Sequence, residues 1–144
     1  MRFIITARPG ADSTVPGPDA PFDEGLFTAY MRFNEEMFKA GVLVASEGLN
    51  PAGQGAQVTV KGGKRVVTDG PFAESKELVG GFYIVDVPSL DDAIAWALRA
   101  PSGLGFDDVL DIRPLTGTSD LPPEIVELIR KAAPEWTAAL WRDR

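Results

Sequence analysis

Residues 69–77 read DGPFAESKE and put three acids, Asp69, Glu74 and Glu77, beside one base, Lys76, and one aromatic ring, Phe72. Opposed charges in a partly dry loop push pKa values apart, which is what general acid and base work requires. The same nine residues also make a good turn. Asp accepts backbone N–H bonds, Gly permits positive φ and Pro fixes φ. From the residues alone, a plain turn and a turn that carries chemistry are both open.

The wider inventory narrows that chemistry. The chain has no histidine and no cysteine. This removes a Ser-His-Asp triad, a thiolate nucleophile, disulfides and imidazole or thiolate metal sites. Proton transfer is left to Asp, Glu, Lys or Tyr, and no metal or dissociable cofactor is expected. Residues 62–65, GGKR, lack the spacing and the hydroxyl residue of a phosphate loop. Glu47, in VLVASEGL, reads either as a strand end or as a carboxylate at a cleft mouth. Arg113 is an edge-strand terminus or a binder of a ligand carboxylate. Tyr83 shares a strand face with Val85 and Val87, which favours the core.

Elements must hold these groups in place. RFIITA (2–7) reads as a strand, and the Pro- and Gly-rich 9–21 as a surface loop. Leu26, Tyr30, Phe33, Met37 and Phe38 fall at helical spacing over 23–40, with Asp23 as cap and Gly41 as stop. Strands follow at 42–49, 57–61 and 64–68, the last two joined by Gly62-Gly63, a primed hairpin turn. After the charged stretch comes GGFYIVDV (80–87). Ser89 and Asp92 form a capping box for a second helix, whose buried stripe is read as Ile94, Ala97 and Leu98. A strand over 108–115 closes the domain. In the tail, Asp120 is the expected cap of a helix to about Ala133, and Trp136, Leu140 and Trp141 suggest docking.

The chain of 144 residues is the length of one domain, with 44% hydrophobic and 24% charged residues. Asp plus Glu number 21 against 14 Lys plus Arg, a net charge of −7. Nucleic acid and anionic membrane surfaces are repelled, and neither is an expected partner. Residues 1–7 carry too short an apolar run for a secretory signal, and no run approaches a membrane span, so a cytoplasmic location is expected.

Strand, helix, strand, hairpin, strand, helix, strand is the order of an α+β domain of ferredoxin-like type with an inserted β-hairpin. Two helices can cover one sheet face only, and a homodimer would cover the other.

The stretch TDGPFAESKELVGGFYIVDVPSLDDAIAWA (68–97) resembles the signature of the DGPF (DGPFAETKE) group of the YCII-related family, with Ser75 where Thr is common. NEEMFKAGVLVASEGLNP (34–51), VKGGKRVVTDGPF (60–72) and DIRPL (111–115) resemble it too. The resemblance implies a dimeric α+β barrel, with a YCII-related domain over 1–118 and a helical extension over 119–144. It implies no established reaction. Related barrels bind small organic molecules between sheet and helices, and an association with alternative sigma factors suggests a regulatory protein partner. The His–Asp pair proposed for family members cannot operate here, because there is no histidine.

Two functions follow as expectations. One is a small-molecule-binding dimer with Asp69 and Glu47 as carboxylate acid/base candidates. Phe72, Tyr83, Arg113 and Tyr30 are its ligand contacts, and Asp69, Gly70, Pro71 and Phe72 its motif turn. The other is a non-catalytic regulatory module.

Overall fold

The computed structural model describes residues 1–13, 19–50, 55–69, 79–101 and 107–141. Strand β1 (Arg2–Pro9) leads to helix α1 (Glu24–Lys39) and strand β2 (Leu43–Gly48). The hairpin β3 (Ala56–Lys61) and β4 (Lys64–Asp69) precedes strand β5 (Gly81–Asp86). Helix α2 (Leu90–Ala97), strand β6 (Asp108–Pro114) and helices α3 (Pro123–Ala132) and α4 (Pro134–Leu140) complete the α+β domain. The main sheet has the order β2-β5-β1-β6, and each neighbouring pair is antiparallel.

Local signals set the element ends. Asp23 caps α1 by accepting a bond from the Leu26 N–H at 2.9 Å, satisfying one of the orphan donors of the first turn. Past the other end, Gly41 takes φ +72°, which a side chain would resist. Ser89 accepts from the Asp92 N–H at 3.2 Å, while its hydroxyl donates to the Asp92 carboxylate. Gly62 and Gly63, at φ +59° and +78°, give the hairpin the primed turn that two-residue loops favour.

The core lies between α1, α2 and one face of the sheet. Phe3, Ile5, Tyr83, Val85 and Val87 from the strands pack with Phe33 and Met37 of α1 and Ala93 of α2. Phe3, Met37 and Val85 are the largest fully buried side chains. Three sequence expectations are corrected here. Phe38 is 69% exposed, because it sits one residue past Met37 and points about 100° away from it. Along α2 the stripe turns by the same amount: Ala93 is buried, with Trp96 and Ala97 packed against the core, while Ile94 and Leu98 face outward. Asp120 does not cap α3. Its carboxylate accepts from the Gly117 N–H at 2.7 Å and closes a 3₁₀ turn over Thr118–Asp120, so α3 starts uncapped on Pro123. Within the tail, Trp141 is buried and its ring stacks on that of Trp136 with centroids 5.8 Å apart.

Candidate functional site

The antiparallel register gathers four strand ends at one end of the sheet. Gly48 lies opposite Gly81, Ala7 opposite both Gly81 and Leu110, and Pro9 opposite Asp108. Two further bonds tie this end together, from Leu49 N–H to Gly80 O at 2.9 Å and from Gly80 N–H to Ala7 O at 2.8 Å. Gly81 is needed for that closeness. A Cβ there would stand 2.9 Å from the Glu47 carbonyl oxygen, nearer than such atoms approach.

Tyr83 is the third residue of β5 and faces α1. Its ring meets Phe33 edge to face, with centroids 5.8 Å apart at 82°. Tyr30, one turn before Phe33, packs half-buried against the same cluster. Burial, reinforced by the charge of Asp108, raises the Tyr30 phenol above its ordinary value. Burial also raises Tyr83 strongly, with Tyr30 and then Asp108 adding to it. Tyr30 on α1 packs against the core cluster that contains Tyr83 of β5, and the charge of Asp108, at the start of β6, is felt at both phenols. Beside them Ser46, opposite Tyr83 on β2, donates to the Asn34 side chain at 3.1 Å. Two neutral phenols and an amide–hydroxyl pair thus stand at the junction of α1 with the sheet, with the Asp108 carboxylate at the start of β6. Such a set can hold a hydrogen-bonding ligand against aromatic surface.

The expected residues separate. Tyr30 and Tyr83 come together. Glu47 pairs with Phe82, and Arg113 with Ile4, so by strand alternation both lie on the face opposite Tyr83. They also occupy the two outer strands, with β5 and β1 between them. No shared cleft holds Glu47, Arg113 and Tyr83. Asp69 ends β4 opposite Ala56, but its side chain and the rest of the motif turn, Gly70, Pro71 and Phe72, lie outside the described residues. The sequence reading missed Asp108. Its signal was an acid at the very start of the last strand, and nothing local links it to two tyrosines far earlier in the chain.

On the opposite face Arg8 donates through Nε to Asp111 at 2.7 Å, and the buried Nε of Arg2 has no hydrogen-bond partner among the described residues. Among the described residues no cluster of three or more acids is placed to hold a metal ion, and no helix is long and apolar enough to cross a membrane.

The sequence pattern of the YCII-related domain matches residues 1–115. The chain belongs to the YCII-related family. An uncharacterised protein of Rhizobium meliloti (strain 1021) is 32% identical to it over 101 residues, which is 70% of this chain and 74% of that protein. The family match spans every strand of the main sheet and both helices that cover it, and it ends just before the 3₁₀ turn and the tail helices.

Proposed function

We propose that this YCII-related protein binds a small organic molecule at the α1–sheet junction, as a ferredoxin-like domain paired with a second copy in a dimeric α+β barrel. The packing of Tyr83 edge to face on Phe33, with Tyr30 half-buried against the same cluster and the charge of Asp108 felt at both phenols, carries the reading. With their pKa values raised, both phenols stay protonated at neutral pH and act as hydrogen-bond donors and acceptors, not as bases. The ligand that fits presents a donor, an amine or a hydroxyl, to the carboxylate and an apolar body to Phe33 and the tyrosine rings. If the site is catalytic, its chemistry is proton transfer by a carboxylate, Asp108 or the motif's Asp69. Gly80, the described residue that leads from the signature segment into β5, bonds to Leu49 and Ala7 at the end of the sheet.

Pairing is supported from the other face of the sheet. Both core helices cover the Tyr83 face, which leaves Ile4, Phe82 and Ile84 on the other, only partly covered within one chain.

The test is a thermal-shift screen of small amines, alcohols and carboxylates on the wild type, repeated on Asp108→Asn, Tyr83→Phe and Asp69→Asn. Stabilising compounds should lose their effect on Asp108→Asn or Tyr83→Phe. Hits that stabilise all three variants as they do the wild type place the pocket elsewhere.

A further inference from the structure

Strand β3 alternates, and with Val67 of β4 it makes an apolar face that is bare. Val58 lies opposite Val67, and Val60 sits on the same side next along β3. These three valines are 56%, 63% and 60% exposed. Two strands alone are marginally stable in water, so a hairpin of this kind needs a surface to cover it.

The same chain shows a second bare surface. At about 100° per residue, the apolar arc of α1 is wider than the sheet can cover. Its buried side carries Phe33 and Met37. Its other edge carries Phe27, Met31 and Phe38, which are 51%, 45% and 69% exposed, and Phe22 extends this edge by packing on Phe27 at 5.5 Å. Glu24 and Glu35 flank it, Glu35 in a surface pair with Lys39.

Charge says what joins them. The hairpin, residues 56–69, carries Lys61, Lys64 and Arg65 against one acid, Asp69, a net charge of +2, so with −7 overall the rest of the chain stands at −9. A basic arm and an acidic body on one chain are complementary between copies. We infer that the β3–β4 hairpin is a dimer arm, laying Val58, Val60 and Val67 on the Phe27–Met31–Phe38 edge of a second copy's α1. Its Lys and Arg tip lies toward Glu24 and Glu35. By two-fold symmetry the contact occurs twice and closes. The seven residues from 49 to 55 can span at most about 25 Å, and each six-residue strand adds roughly 20 Å, enough to cross to a neighbouring body.

This inference rests on the pairing proposed above but concerns a different surface, and the experiment separates the two. Because the chain has no cysteine, engineered thiols report unambiguously. Val60→Cys and Met31→Cys chains are mixed, allowed to exchange and treated with a short bismaleimide, with circular dichroism confirming that each variant is folded. Light scattering is run in parallel on the wild type and on Val58→Lys/Val67→Lys. The arm predicts a cross-linked mixed dimer and a dimer dissociation constant raised about tenfold or more in the lysine variant, the scale of losing one buried valine. A dimeric wild type whose mixed thiols do not cross-link overturns the arm and leaves pairing through the sheet face standing. A monomeric wild type at micromolar concentration overturns both.

Discussion

The ring of Phe33 on α1 meets the ring of Tyr83 on β5 edge to face, with centroids 5.8 Å apart. This contact fixes how α1 lies on the sheet, and so where Tyr30, one helical turn away, stands relative to Tyr83. Beneath it Met37 is fully buried, and its removal should be felt at once. Met37→Ala should cost about 2–5 kcal/mol, the transfer term plus the cavity left behind. Urea unfolding of the two proteins checks it, with a lower midpoint and an unchanged slope expected.

The two tyrosines make stability depend on pH in the alkaline range. Their folded pKa values lie above the unfolded value near 10, so the unfolded chain ionises first. Their contribution is present in full below pH ~10 and is lost as pH rises past that value toward the folded pKa. Tyr83→Phe should flatten this alkaline loss. The measurement is the melting temperature of both proteins from pH 8 to 11, and parallel curves would show that Tyr83 does not titrate as described.

Gly81→Ala should destabilise by about 1–3 kcal/mol, the usual scale of overpacking, because the new methyl meets the Glu47 carbonyl on the adjacent strand. Gly48→Ala serves as the comparison, since a Cβ there meets nothing within 4 Å. Thermal melts of the pair decide: equal losses would mean that the close approach of β2 to β5 is not the cause.

Ser89→Ala removes the cap of α2 and should cost about 0.5–2 kcal/mol, read from denaturant unfolding. Since α2 delivers Ala93 and Trp96 to the core, the loss should appear as global unfolding and not as fraying of one helix.

Much of this fold was legible because its signals are local. Asp23 and Ser89 announce helix starts by the bonds they make three residues on, and Gly62-Gly63 fixes a hairpin by φ alone. The expected helical stripes erred by one residue at Phe38 and at Ile94 and Leu98, because an apolar arc wider than its cover leaves the choice of buried edge to tertiary packing. Asp120 misled for a related reason, as its carboxylate found the Gly117 N–H before any donor of α3. The site was half legible. Tyr83 was marked by strand alternation and Tyr30 by helical spacing, but the charge of Asp108 is felt at them only once β6 pairs with β1 and α1 packs on the sheet. Glu47 and Arg113 looked like companions of Tyr83 until the register put them on the other face.

The central claim is that the ligand site lies where α1 meets the sheet. Its most direct test is amide chemical-shift mapping with any compound that stabilises the protein in the thermal screen. The account predicts shifts concentrated at Tyr30, Asn34, Ser46, Tyr83 and Asp108, reduced when Asp108→Asn is titrated with the same compound. Shifts centred instead on Glu47, Phe82 and Arg113, with the tyrosine cluster silent, would contradict it.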